Sequence, residues 1–294
     1  MNKKVNNMIL GHNALFGVNH LSAEKGMVKE KQFSDTKTAI DVIESAFDSG
    51  VRGMMMSTHP RAELIIKDLQ NNNRLTENLN FYVLLPYLQK YVTMANEKGA
   101  VNMIFDIIKR SSLKQQFGLL LSGGSFLAKR DLYQVLKAMI DVEMLMFSGV
   151  KKTAIFLHNI LTDMIIGLNI PDMFEFYYDY INTKHDVIPG FCTLNFPRLM
   201  DILEKTQIEN PLIMAPFNSL GFQMNPSLDE NISYLNNKNC TFVAMSTLAA
   251  GQIMPKEAYK YLFETVKVDS VIAGSSSPKH IADTFSIVNS YFNK

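Results

Sequence analysis

The chain has 294 residues, 47% of them hydrophobic, and 29 Lys and Arg stand against 28 Asp and Glu for a formal net charge of +1. A near-neutral chain offers no basic stripe to a phosphate backbone, so we expect no nucleic-acid partner. Only two cysteines, Cys192 and Cys240, are present, which excludes a disulfide framework. No apolar run reaches about 18 residues and the N-terminus lacks a signal-peptide core, so we expect a cytoplasmic protein without a membrane segment.

Short apolar runs alternate with amphipathic segments along the chain, a pattern typical of parallel strands joined by crossover helices. The runs predict eight strands, at Met8–Gly11, Gly53–Ser57, Phe81–Leu85, Thr153–Leu157, Val187–Phe191, Leu212–Ala215, Phe242–Met245 and Ser270–Ala273. Eight strands alternating with helices predict a single (β/α)8 barrel domain over residues 1–294. An open doubly wound sheet is the rival, but no G-x-G-x-x-G follows the first strand.

Local signals place several of the helices. Pro60 and Pro278 each stand where a first helical turn tolerates a missing N–H. The segment Pro197–Lys205 has apolar residues at helical spacing. The longest connection, Pro86–Lys152, is predicted to hold two additional helices, Val101–Lys109 and Leu132–Met146, because a connection of that length contains its own structure. We expect this insertion beside the barrel mouth, as a lid or an oligomer contact.

Three of the six histidines directly follow predicted strands: His12, His59 and His158. Barrel enzymes work at the carboxyl ends of their strands, so these imidazoles are predicted to meet in one pocket and to act as acids or bases. The structural alternative is that each one fills a polar hole beside a neighbouring carbonyl. A metal site is a further alternative. It is disfavoured because no carboxylate stands at these strand ends, so we predict none.

The exit of the last strand carries Gly274, three serines and Lys279, in the segment Gly274-Ser275-Ser276-Ser277-Pro278-Lys279. A helix N-terminus preceded by glycine and hydroxyl groups is a suitable phosphate site, because free N–H groups face the loop and an ammonium completes it. We therefore expect an anionic or phosphorylated small molecule here. The alternative is an ordinary serine cap.

The C-terminal third resembles the aldo-keto reductases in four segments: Pro189–Phe196, Pro216–Leu220, Ala244–Gly251 and Ile272–Ile281. The resemblance implies a barrel fold and NADP as cofactor. It implies Asn195 for the nicotinamide carboxamide and Ser275–Lys279 for the phosphate end. It also adds Asn218 and Ser246 to the cofactor-binding residues.

The N-terminal half fits this family less well. The family uses an Asp and a Tyr from strand two, a Lys from strand three and a His from strand four, and only His158 has a match. Ser57 stands where the Asp belongs, and strand three ends in Leu85-Pro86-Tyr87 without a lysine. Carbonyl protonation then lacks its usual donor: either other groups substitute, with His59, His158 and Tyr87 as candidates, or the protein is no longer a reductase. His12 completes the set of predicted catalytic residues.

Three functions follow from these patterns. The first is an NADP-dependent oxidoreductase acting on a small carbonyl or phosphorylated metabolite. The second is a non-redox lyase, isomerase or hydrolase that uses the three strand-end histidines. The third is a catalytically inactive relative that binds a nucleotide or a partner protein, with the insertion as its interface.

Overall fold

Eight parallel strands close into a barrel in the computed structural model, which describes residues 4–16, 36–99 and 129–292. The strands are β1 (Met8–Leu10), β2 (Gly53–Ser57), β3 (Asn80–Leu85), β4 (Lys152–Leu157), β5 (Ile188–Cys192), β6 (Leu212–Pro216), β7 (Thr241–Met245) and β8 (Ser270–Ala273). Each strand pairs with the next, and β1 pairs with β8 through Ile9 and Ile272. The predicted (β/α)8 barrel is confirmed, with every strand end within one residue of its predicted place.

The described residues contain eleven α-helices. They are α1 (Thr36–Asp48), α2 (Pro60–Gln70), α3 (Asn73–Asn78), α4 (Leu88–Lys98), α5 (Lys129–Met144), α6 (Asn159–Leu168), α7 (Pro171–His185), α8 (Phe196–Leu203), α9 (Leu228–Asn237), α10 (Pro255–Lys260) and α11 (Pro278–Asn289). Pro60 and Pro278 occupy first helical positions, as predicted. None of these helices combines the length and apolar character needed to cross a membrane.

Side chains from the strands divide between the barrel interior and the surrounding helices, because successive strand residues point to opposite faces. Met55 lies inside the barrel with Tyr82 and Phe156. Its neighbours Met54 and Met56 pack outward against the helices. The interior is therefore a packed core, and in barrels of this kind functional groups stand on the rim at the carboxyl ends of the strands.

The connection between β3 and β4 contains α4 and α5, which pack together through Tyr91, Ala138 and Met139. The predicted helix Leu132–Met146 is observed as α5 followed by a short 3-10 turn, Leu145–Phe147. The predicted helix Val101–Lys109 lies outside the described residues. The single domain over residues 1–294 therefore stays a prediction, although the strands run from Met8 to Ala273.

Candidate active site

Two of the strand-end histidines cap the helix that follows them. The His59 Nδ1 atom accepts a hydrogen bond from the backbone N–H of Arg61 at 3.1 Å, at the start of α2. The His158 Nδ1 atom accepts from Ile160 N at 3.3 Å, at the start of α6. A neutral imidazole that accepts at Nδ1 carries its proton on Nε2. Each cap therefore fixes a tautomer with Nε2–H as the donor.

An aromatic chain brings the rims of β1, β2 and β3 together. The Phe16 ring lies 4.9 Å from the His12 ring and stacks on His59 at 4.8 Å, between ring centroids. The Tyr87 ring then meets His59 edge-on at 5.3 Å. These two contacts of Phe16 keep the imidazoles of His12 and His59 within about 10 Å of each other. The structure thus brings His12, His59 and Tyr87 to one part of the rim.

Burial keeps two of the histidines neutral. Desolvation, together with the neighbouring charges of His59 and His158, lowers the pKa of His12 to about 3, against a hydrogen bond to the Met55 backbone that raises it. The pKa of His158 is also lowered by burial, and the charge of Glu143 opposes that shift. His12 Nδ1 is buried and has no hydrogen-bond partner. At neutral pH these rings are uncharged, so each can polarise a carbonyl through an N–H group or accept a proton and become an imidazolium.

A buried ion pair that sequence reasoning missed lies beside these groups. Glu143 of α5 has a fully buried side chain, and its Oε1 atom lies 2.5 Å from the Nζ atom of Lys90, near the start of α4. Its Oε2 atom accepts hydrogen bonds from the Thr58 hydroxyl and, at 3.0 Å, from the Tyr87 N–H. A signal was present in the sequence: Glu143 follows Leu136 and Ile140 at helical spacing, on the buried stripe of α5.

The rim after β5 holds the residue predicted to bind a carboxamide. Asp163 of α6 accepts from the Thr193 hydroxyl at 2.5 Å and from Leu194 N at 3.1 Å. The pKa of Asp163 is raised by burial, and these two hydrogen bonds oppose the shift. The Thr193 hydroxyl in turn accepts from Asn195 N at 2.9 Å. The Asn195 Oδ1 atom is buried and without a partner, so an acceptor is available at this rim position.

The side-chain amide of Asn218 hydrogen-bonds to backbone groups of its own loop and of the β7 exit. It donates to the carbonyls of Phe222 and Ser246, at 2.9 and 3.3 Å, and accepts from the backbone N–H groups of Leu220 and Phe222. The Ser246 hydroxyl donates to Gln223 Oε1 at 3.1 Å, and its backbone has a positive φ of 52°. Asn218 therefore organises the exits of β6 and β7, and the cofactor roles of Asn218 and Ser246 stay predictions.

The serine loop after β8 is largely self-bonded. The Ser275 hydroxyl donates to the Ser277 carbonyl and accepts from Ser277 N, both at 3.0 Å. Ser277 caps α11 by accepting from His280 N at 3.5 Å, which is the ordinary serine cap foreseen as the alternative. Gly274 and Lys279 are exposed. Lys279 is therefore the exposed cation of this loop. The phosphate site stays a prediction, with its residues Gly274, Ser275, Ser276, Ser277 and Lys279.

The part of the chain that the structure describes shows neither a cluster of metal ligands nor an activated thiol at the β5 rim. No group of three or more His, Cys, Asp or Glu side chains there is placed to hold a metal ion. Burial and the charge of Asp163 raise the pKa of the Cys192 thiol, and that thiol lies in the barrel interior. A nucleophilic thiolate is therefore disfavoured at the β5 rim.

A cavity of about 1110 Å³ lies at the opposite end of the barrel. Its lining includes Asn7, Ile188, Leu212 and Thr241, which stand at the amino ends of β1, β5, β6 and β7. Residues at that face of a (β/α)8 barrel serve stability, whereas chemistry belongs to the carboxyl ends. The cavity is thus separate from the rim that carries the histidines.

Comparison with solved structures identifies the same architecture in reductases. PA4992 of Pseudomonas aeruginosa, assigned to the aldo-keto reductases, has a TM-score of 0.61 and 13% identity, over 98% of this chain and 91% of its own. MGS-M4, an aldo-keto reductase from a Medee basin deep-sea metagenome library, has a TM-score of 0.55 and 12% identity, over 98% and 92%.

A mutant of Gox0644 in complex with NADPH has a TM-score of 0.55 and 11% identity, over 96% of this chain and 83% of its own. No protein-family model matches the chain, and no curated protein does. Identities this low show a shared fold. The chain therefore has the (β/α)8 barrel found in these aldo-keto reductases, as its C-terminal segments predicted.

Proposed function

We propose that the protein is an NADP-dependent oxidoreductase acting on a small carbonyl compound. The observation that carries the proposal is a pair of rim groups on adjacent strands: His158, held with Nε2–H as donor after β4, and Asn195, with a buried unpartnered Oδ1 after β5. The fold supports it, because a structural neighbour binds NADPH on the same architecture.

The residues present fit a nicotinamide cofactor. Asn195 Oδ1 is a buried acceptor without a partner, which is what the amino group of a carboxamide requires. Lys279 is exposed at the start of α11, where its ammonium and the helix N-terminus favour a phosphate. When bound, the cofactor supplies or accepts the hydride. Asn195 and Lys279 would hold its two ends.

The remaining rim groups act on the substrate oxygen. His158 Nε2–H donates a hydrogen bond to the carbonyl, which polarises it without placing a full charge in the buried site. Burial raises the pKa of Tyr87, so its phenol stays protonated at neutral pH and can deliver the proton that completes the reduction. The His59 ring packs against that of Tyr87, and Phe16 stacks on His59, so aromatic rings line this part of the rim.

A non-redox isomerase or lyase is the second candidate. The observation favouring it is His12, whose buried Nδ1 has no hydrogen-bond partner and so offers the free lone pair with which a general base removes a proton next to a carbonyl. Such an enzyme would use the same histidines on a small anionic metabolite and would need no nicotinamide.

Titration with NADPH, NADP and NADH, followed by fluorescence or heat, separates the two candidates. We expect NADPH to bind, and Lys279→Glu to weaken it at least tenfold, about 1.4 kcal/mol. Asn195→Ala should weaken all three nucleotides. Lys205→Glu, an exposed lysine beyond the end of α8, reverses the same charge at the other end of the barrel and should bind as wild type does. Absence of binding by every nucleotide would overturn the oxidoreductase and leave the non-redox candidate.

A further inference from the structure

Glu143 joins three elements of the rim. Its carboxylate comes from α5, accepts from the Thr58 hydroxyl after β2 and from the Tyr87 N–H after β3, and pairs with Lys90 at the start of α4. Thr58 immediately precedes His59 in the chain. One carboxylate is therefore tied to both loops that carry predicted catalytic side chains.

Burying a carboxylate in this position destabilises the folded protein unless nearby groups compensate its charge. The Glu143 side chain is 0% exposed, and removing an ionised carboxylate from water costs several kcal/mol before any pairing. Its compensation comes from the Lys90 ammonium, whose side chain is 30% exposed, and from the two rim donors. A stabilising core needs no such group, because an apolar residue of similar size would fill the same space at lower cost.

We propose that Glu143 is a positioning residue, which fixes the loops of His59 and Tyr87 and places a negative charge at the β3 exit, beside the strand that His158 follows. The part of the proposal that concerns activity rests on the proposed function. The part that concerns His158 does not.

The backbone of His158 lies beside the exit of β3: its N–H donates to the Leu85 carbonyl at 2.9 Å, two residues before Tyr87, whose own N–H donates to Glu143. Glu143 thus acts on His158 from α5, and His158 acts in turn on His12 at the rim of β1. Lys90 lies against Glu143 and offsets part of its charge. The negative charge of Glu143 favours the imidazolium, whereas burial favours the neutral ring, so the two influences oppose each other at His158.

The experiment compares Glu143→Gln with Asp141→Asn. Both changes turn a carboxylate of α5 into its amide, but Asp141 pairs with Lys184 and lies beside Tyr180, away from the rim. The titration of His158 is followed by NMR on the full-length protein, its signal assigned by its loss in His158→Gln. We expect Glu143→Gln to lower the pKa of His158 measurably and Asp141→Asn to leave it unchanged. An unmoved His158 in a folded Glu143→Gln protein overturns the proposal, and so does an equal shift in both variants.

A second variant tests the tether and guards against misfolding of the first. Thr58→Val removes one rim donor and keeps the Glu143–Lys90 pair. It should lower kcat about tenfold with KM changed less than about twofold, and should not move the pKa of His158. Unchanged kcat would overturn the tether. If no nicotinamide nucleotide binds, the proposed oxidoreductase function is wrong. The NMR comparison still decides whether Glu143 acts on His158.

Discussion

Phe156 of β4 lies directly against Gly190 of β5, its cross-strand partner. A Cβ atom built on Gly190 would stand 2.6 Å from Phe156 Cδ1, closer than real side chains approach. The phenyl ring thus fills the barrel interior in the space that a missing side chain leaves. This contact lies in the barrel interior, below the rim groups that follow β4 and β5.

Replacing Gly190 by alanine should therefore destabilise the protein by about 1–3 kcal/mol, the usual cost of an extra methyl in a packed core. The free energy of unfolding in urea measures it. Gly167→Ala is the matched control, because Gly167 lies in α6 with open space around its Cα and alanine is the better helix former. Equal stability of Gly190→Ala and wild type would contradict the assigned packing.

His158→Ala should cost the most activity of any rim histidine. In the proposed oxidoreductase its Nε2–H would donate to the substrate oxygen, and loss of such a group lowers kcat on the order of 10²-fold or more. His185→Ala, at the end of α7 with its Nε2 atom 3.9 Å from Asp141 Oδ1, away from the rim, provides the control and should change kcat less than about twofold. If His12→Ala is instead the more damaging variant, steady-state kinetics favour the non-redox candidate.

The loop after β7 contains non-glycine residues with positive φ angles, which favour glycine. Ala250 is exposed and has a φ of 58°, in the left-handed region that disfavours residues with a Cβ. Ala250→Gly should therefore raise the free energy of unfolding by about 0.5–1 kcal/mol. Ala95→Gly, within α4, should lower it by about 1 kcal/mol because that backbone is helical. Denaturant unfolding of both variants gives the comparison, and a loss of stability in Ala250→Gly would count against strain in this loop.

The strands and the rim histidines could be predicted from sequence, because each strand is a short apolar run and each histidine follows one directly. Asn195 was reached through the resemblance of its segment. Glu143 could not be assigned a role in this way, since its partners Thr58, Tyr87 and Lys90 are 53 or more residues away in the chain. Only the packing of α5 against the rim brings them together. The hydrogen bonds of the Asn218 amide could not be predicted for the opposite reason: its partners are local backbone groups that side-chain patterns do not reveal.

The buried imidazole of His12 should make stability depend on pH. Folding lowers the pKa of His12 from 6.5 to about 3. Below pH 6.5 the unfolded chain therefore binds a proton at His12, whereas the folded protein does not. The contribution of the neutral His12 ring to the free energy of unfolding is therefore complete above pH 6.5. It is lost as the pH falls toward 3, by up to about 1.4 kcal/mol per pH unit.

His12→Leu keeps the site apolar and removes this titration. The difference in unfolding free energy between wild type and His12→Leu should therefore shift against wild type from pH 7 to pH 5. Other acid-sensitive groups, the carboxylates included, are common to both proteins and cancel in that difference. Parallel pH curves for the two proteins would show that His12 is either protonated in the folded state or not buried at the rim.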